Sequence, residues 1–454
     1  MKQLLLGTTT LIGAAGLFAG AALADTPKVT VGGYANFEAA YQNDDLNGKN
    51  ASGVYSAPYQ DQRPQAFRSD TQVDFKIDGK SEAGLGYGGE IDLLADTSPD
   101  VQGRGFNAAK TFVYTDGNWG RFELGSNVGA DGTLKVDAGT IARATGGIDG
   151  DWSYFANAND QFLAMSSLPL AYGATNSTTT YDGIPINAGY IVNNLGNHTE
   201  ENINKITYYT PRWQGLQVGV SYLPDQTNTG QGALGFKGPD RLDNNAGLAQ
   251  NIFAGGINYD NKWGEFGLGV AATGEYGNAQ KPLTSAGVAT ATNTYEDLKA
   301  WEAGGKLSYM GFSLAGSYGD WGRSLTEKAS NSKKNYFWDL GAAYEYGPFG
   351  VSLTYLNSQV DCGYGVNTTT GAQGTPNGTT ITRGAGINGS CLNSDVNGSK
   401  NKFDSISTGV DYKLAPGLTP YAEVTWYNEK VGTQVAANPD NKGYVAIIGT
   451  QLNF

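Results

Sequence analysis

Tyr444-Val445-Ala446-Ile447-Ile448-Gly449-Thr450-Gln451-Leu452-Asn453-Phe454 closes the chain as an alternating segment that stops on an aromatic residue. The opposite end has a different character. Lys2 precedes an apolar run from Leu4 to Phe18, and Ala22-Leu23-Ala24 forms a small-x-small cleavage site before Asp25, the layout of a secretory signal over residues 1–24. Together the two ends predict an exported chain built into an outer membrane, with residues 25–454 as one domain.

The mature chain of about 430 residues shows no Pro-rich linker or composition break that would divide it, so one large repeated architecture is the simpler reading. No stretch after the signal approaches the roughly 18 to 20 apolar residues of a membrane helix. Composition is skewed, with 66 Gly and 27 Tyr in 454 residues against 3 Met, 2 Cys and 1 His. Such an excess of Gly and Tyr with few helix formers favours strands and tight turns. The net charge of -13 becomes -14 without Lys2, which argues against nucleic acid as a partner and predicts repulsion of anions.

About sixteen alternating segments can be marked off between residue 29 and the C-terminus, most near the 9 to 11 residues that cross a bilayer as a tilted strand. Their connections alternate between a few residues and a few dozen. Asp116-Gly117-Asn118, Asp260-Asn261-Lys262-Trp263-Gly264, Gly347-Pro348 and Ala415-Pro416-Gly417 carry turn chemistry, while residues 127–202 and 359–401 are long connections. Short turns on one side and long loops on the other describe an all-β, up-and-down antiparallel barrel with an even strand count.

Val73, Phe75 and Ile77 alternate with Gln72, Asp74, Lys76 and Asp78, as a wall between lipid and water requires. A soluble sandwich shows the same alternation. Aromatic placement separates the two. Trp119, Trp213, Trp263 and Phe349 recur at or just after short turns, whereas Tyr41, Tyr222, Tyr318, Tyr355 and Trp426 sit at the long-loop ends of their segments. Two aromatic girdles at matching heights suit a transmembrane barrel.

Three passages resemble the Gram-negative general porins, the sixteen-stranded trimeric outer-membrane channels: Val29 to Glu38, Asp116 to Ser126, and Lys205 to Tyr222. Their order, with Phe454 at the end, covers the mature length. The resemblance implies a homotrimer in the outer membrane of a Gram-negative bacterium, in contact with lipid and lipopolysaccharide, passing small hydrophilic solutes. It implies that Phe454 is the signal read by the outer-membrane assembly machinery. It also implies that residues 127–202, after the fifth strand, fold into the pore as a constriction loop, longer here than the family pattern. Asp131, Asp137, Asp149, Asp151 and Asp160 against Lys135 and Arg143 would make this loop an acidic lip. Arg68, Lys76 and Arg121 have the parity to oppose it from the wall, and Lys110 is ambiguous because Phe112 and Tyr114 share its parity. Charges facing across a narrow wet gap would orient polar solutes and penalise apolar ones.

Segments Phe162 to Met165 and Ile184 to Val192 can be short helices, small strands or an extra hairpin, so sixteen strands are expected and eighteen is the alternative. Cys362 and Cys391, the only pair, lie in one external connection of an exported protein and are expected to form a disulfide. His198, the sole histidine, leaves no His cluster and a poor base for catalysis, so no enzyme is expected. Asp44, Asp45, Asp225 and Asp240 are the candidate calcium carboxylates, but no complete ligand set is visible and no cofactor or metal is expected. The reading is a water-filled channel for passive diffusion with cation preference. The alternatives are a channel selective for sugars or amino acids, a barrel enzyme, and an exported adhesin.

Overall fold

In the computed structural model the chain is described over residues 26–45, 63–95, 107–156, 165–172, 180–181, 184–185, 203–226, 248–281, 295–326, 328, 335–361, 400–430 and 440–454. The proposed signal, Phe162, His198, Asp160 and both cysteines lie outside these residues. Sixteen strands close into one antiparallel barrel in which chain neighbours are also sheet neighbours. They are β1 Lys28–Asp44, β2 Gln65–Lys80, β3 Gly86–Leu94, β4 Asn107–Gly117, β5 Gly120–Ser126, β6 Asn204–Tyr209, β7 Leu216–Asp225 and β8 Ala249–Trp263. The second half comprises β9 Phe266–Ala279, β10 Leu298–Tyr309, β11 Phe312–Gly322, β12 Asn335–Tyr346, β13 Phe349–Asp361, β14 Lys400–Tyr412, β15 Leu418–Lys430 and β16 Asn441–Asn453.

Each alternating segment of the sequence becomes a strand, and most strands run past their expected ends. Polar residues toward the long loops continue the ladder where a neighbouring strand still pairs with them. Asn43 and Asp44, for example, extend β1 against Tyr444 and Gly443. The short links are tight hairpins. Met310 and Gly311 both hold positive φ, 49° and 87°, as the two central residues of a twist-matched hairpin turn require. Closure joins β1 to β16, and Phe454 donates its N–H to Gly33 (3.1 Å) and accepts from Gly33 in return (3.2 Å). A closed ladder leaves no edge strand along the wall.

The eighteen-strand alternative is not adopted. Thr180–Tyr181 and Ile184–Pro185 do pair, but as a separate two-stranded sheet outside the barrel order.

Both girdles are present on the outside. Near the short turns, Trp119 packs on Phe122 and Phe122 on Tyr208, and Trp263 stacks on Phe266. Toward the long loops, Tyr41 stacks on Tyr444, Trp301 packs on Tyr318, and Trp338 on Tyr355. Between them the outer face is apolar and exposed, with Leu314, Leu340, Leu353 and Ile448 among its residues. Apolar surface of this extent facing outward on every side is tolerated only in lipid.

Candidate functional site

After β5 the chain turns into the barrel. A short helix Ala130–Leu134 is followed by 3-10 turns Ala138–Ile141, Gly147–Asp149, Asp151–Tyr154 and Pro169–Tyr172. Inward polar side chains of the wall catch the backbone of this loop. Ser221 on β7 accepts from the Ala130 N–H (2.9 Å), Asn258 on β8 donates to the Leu134 carbonyl (3.0 Å), and Asp339 on β12 accepts from the Ala138 N–H (2.7 Å). Farther round, Ser352 on β13 accepts from the Arg143 N–H (2.8 Å), Ser407 on β14 donates to the Gly147 carbonyl (3.0 Å), and Glu423 on β15 accepts from the Thr145 N–H (3.2 Å). A loop without ladder partners needs such hydrogen bonds before its amides can be buried. Glycine makes room for it: a Cβ on Gly304 would fall on the Val136 carbonyl, and one on Gly409 would lie 2.6 Å from the Arg143 carbonyl oxygen.

The seal between loop and wall is apolar. Trp152 is fully buried, stacked on Phe403 at 6.0 Å and on Tyr427 at 5.8 Å, and its indole N–H donates to Gly147 (2.8 Å). Ile148, Met165, Leu170, Phe337 and Leu356 continue the same core. Burying an aromatic of this size stabilises the seated loop by about 1.5–3 kcal/mol. One side of the bore is therefore packed like a protein interior.

The inner faces of β1 to β5 remain polar. Arg68 on β2 is the junction of wall and loop, 3.2 Å from Glu38, 2.7 Å from Asp70 and 3.5 Å from Asp151 of the loop. The Tyr154 ring lies 3.9 Å from its guanidinium carbon. The Tyr421 hydroxyl donates to Glu38 (3.0 Å) from the other side. Burial, and then the neighbouring Glu38 carboxyl, push the Asp151 carboxyl up to about 8 against the pull of Arg68. Beyond this junction Lys76 faces Glu90 (3.7 Å), Lys110 faces Asp92 (3.7 Å), and Arg121 pairs with Glu123 (2.7 Å) while lying 3.8 Å over the Tyr114 ring. Asp70, Asp74, Asp78 and Asp116 share the lumen parity, so carboxylates outnumber cations along the wet wall.

The residues singled out in sequence are placed unevenly. Arg68, Lys76 and Arg121 all point inward, and Lys110 does too, because Phe112 and Tyr114 of the same parity line the lumen rather than the lipid face. Asp149 is exposed and Asp151 partly so, at the lumen side of the loop. Asp131 and Asp137, by contrast, are buried against the wall, and Asp137 is taken up by Lys135 (2.8 Å) and by capping Thr140 (3.0 Å). Among the described residues the acidic lip thus narrows to Asp149 and Asp151. Burial opposes the charge on Lys135, but Asp137, Asp149 and Glu302 more than offset it, so its ammonium titrates well above the usual lysine value. Arg143 turns away from Asp149 and Asp151 to pair with Glu345 and, at 3.6 Å, with Asp411 on the wall. Glu38 and Tyr154 were missed. Strand parity would have found Glu38, which lies directly opposite Arg68 in the register.

A closed sixteen-strand barrel narrowed from within by the loop after β5 defines a diffusion channel of the outer membrane. The chain belongs to the Gram-negative porin family, whose sequence model matches residues 8–432. Among curated relatives it is similar to an uncharacterized protein of Rickettsia bellii, 26% identical over 507 aligned residues that cover 100% of both chains. A second, from Rickettsia conorii, is 28% identical and covers 80% of this chain and 79% of the relative. Among solved structures it is similar to an anion-selective porin from Comamonas acidovorans, with TM-score 0.53, 16% identity, and coverage of 94% of this chain and 100% of that one. It is also similar to OmpT of Vibrio cholerae in a trimer form, with TM-score 0.52, 10% identity, and coverage of 95% and 100%. At these identities the structural likeness concerns the fold alone.

Proposed function

We propose that this porin passes small hydrophilic solutes and ions passively, with a preference for cations, and works as a homotrimer. The observation that carries the preference is the excess of carboxylates on the inner faces of β1 to β5, joined by Asp149 from the loop, with Asp151 adding its charge as pH rises through about 8. In a narrow gap with low-dielectric walls such an excess concentrates cations. The trimer form of the OmpT structure supports the oligomeric part of the reading. Lipid and lipopolysaccharide around the barrel, and recognition of Phe454 by the assembly machinery, belong to the same proposal. No catalytic role is assigned.

The test is single-channel conductance of detergent-extracted protein in a planar bilayer, followed by reversal potential in a salt gradient. Ohmic steps in threes with a cation-selective potential are expected. An anion-selective potential, like the property named for the Comamonas porin, would overturn the preference. Block by one sugar or amino acid would favour a substrate-selective channel, a reading to which the Tyr114 and Tyr154 rings in the lumen lend support.

A further inference from the structure

The inner wall near the short-turn mouth holds a cation and an anion that face each other without pairing. Arg121 on β5 stands directly opposite Asp116 on β4, and both share the lumen parity. Opposite residues on neighbouring strands are close enough for an arginine and a carboxylate to join. Among the described residues these two form no ion pair, because each is anchored away from the other. The Arg121 Nε donates to Glu123 (2.7 Å), and the guanidinium lies over the Tyr114 ring, its central carbon 3.8 Å from the ring centroid. Glu123 is itself buried and fixed by the Asn127 amide (2.8 Å), and the Tyr114 hydroxyl donates to Asp78. Asp116 leans the opposite way, across β3.

Glycine makes both anchorages possible. A Cβ on Gly88 would lie 2.6 Å from the Tyr114 ring, and one on Gly86 would lie 2.6 Å from either Asp116 carboxylate oxygen. Lys80, opposite Gly86 at the end of β2, forms no ion pair with Asp116 among the described residues. Two binding groups are thereby left open. The terminal guanidinium nitrogens of Arg121 have no protein partner among the described residues, and neither does the Asp116 carboxylate. A planar fork already fixed by stacking and by one hydrogen bond loses little freedom when it takes up a carboxylate. The pair also sits apart from the Arg68–Asp151 junction, since Arg121 follows the β4–β5 hairpin directly while Arg68 lies well up β2. Short turns face the periplasm in an outer-membrane barrel, so this is the exit side of the channel.

We propose that Arg121 and Asp116 form a station for small zwitterions of the α-amino acid class, the guanidinium taking the carboxylate and Asp116 the ammonium. The inference rests on the channel reading and deepens it by naming a solute class for the exit side. A carboxylate and an ammonium separated by one carbon match a cation and an anion held apart on adjacent strands. A simple anion meets the Asp78, Asp116 and Glu123 carboxylates there, and a simple cation meets Arg121, so neither gains both contacts. A weak hold is what a channel requires, because a solute must also leave.

The experiment is saturation-transfer NMR on the full-length protein in detergent. The probes are L-alanine, ethylamine, which lacks the carboxylate, and propionate, which lacks the amine. Wild type is expected to bind L-alanine in preference to either analogue. Arg121→Gln and Asp116→Asn are each expected to weaken L-alanine about tenfold. Arg121→Lys should weaken it as well, because the charge stays while the fork is lost. Lys306→Gln, at a lumen cation on β10, should bind like wild type. Equal binding of L-alanine by Arg121→Gln or Arg121→Lys, or analogues bound by wild type as tightly as L-alanine, would overturn the station. Absence of conductance from folded wild type in a planar bilayer would overturn the channel reading, while the NMR result still decides the station.

Discussion

Asp151→Asn isolates the loop carboxyl that, among the described residues, meets the wall cation Arg68. With its carboxyl at about 8, Asp151 carries about 1% of a charge at pH 6 and about 90% at pH 9. A unit charge ~6 Å from a passing ion in water changes that ion's energy by ~0.7 kcal/mol, and physiological salt roughly halves this. Cation and anion move in opposite directions, so the cation-to-anion permeability ratio of the wild type should rise about threefold between pH 6 and pH 9. The sign follows from the raised value: the seated loop holds the proton more tightly than the free loop does. Seating is therefore fullest at low pH and weakens as pH rises through about 8. Reversal potentials measured across a salt gradient at both pH values, for wild type and Asp151→Asn, provide the comparison. A threefold difference in the pH step between the two is expected, and an Asp151→Asn channel that keeps the whole step would refute the reasoning.

Trp152→Ala removes the ring held between Phe403 and Tyr427 and should cost about 3–5 kcal/mol of loop anchoring, seen as noisier, larger conductance and a lower thermal midpoint. Gly304→Ala places a methyl on the Val136 carbonyl and should unseat the helix end of the loop, raising conductance without loss of the barrel's strand signal in circular dichroism. Cys362 and Cys391 should resist maleimide in the denatured, unreduced protein and react after reduction; labelling before reduction would rule out the disulfide.

The barrel was legible because its signals are local and repeated. Alternation such as Gln72 to Asp78 fixes which face meets lipid, and turn pairs such as Gly347-Pro348 fix where the chain reverses. The loop was harder to read. Nothing in the spelling of Asp131, Asp137, Asp149 and Asp151 separates the two that face water from the two buried against the wall, because that depends on which wall residues they meet. Partners such as Lys135 for Asp137 are close in sequence and were readable in principle, whereas Arg143 with Asp411 and Trp152 with Phe403 join residues more than half the chain apart. Lys110 was ambiguous because aromatic residues were assigned to lipid by habit, yet Tyr114 stacks on a lumen arginine.

The packed side of the bore separates two duties that a hollow cylinder would have to share. The wet path is an off-axis gutter lined by strands from the first third of the chain, β1 to β5, while much of the remaining two thirds grips the plug against itself. Substitutions along the gutter can retune what permeates without loosening the grip. Substitutions around Trp152 and Phe403 change how wide the gutter is without altering the charges that line it. Bore and strand number are thereby uncoupled, and a barrel of fixed circumference can offer passages of different width by editing only the plug.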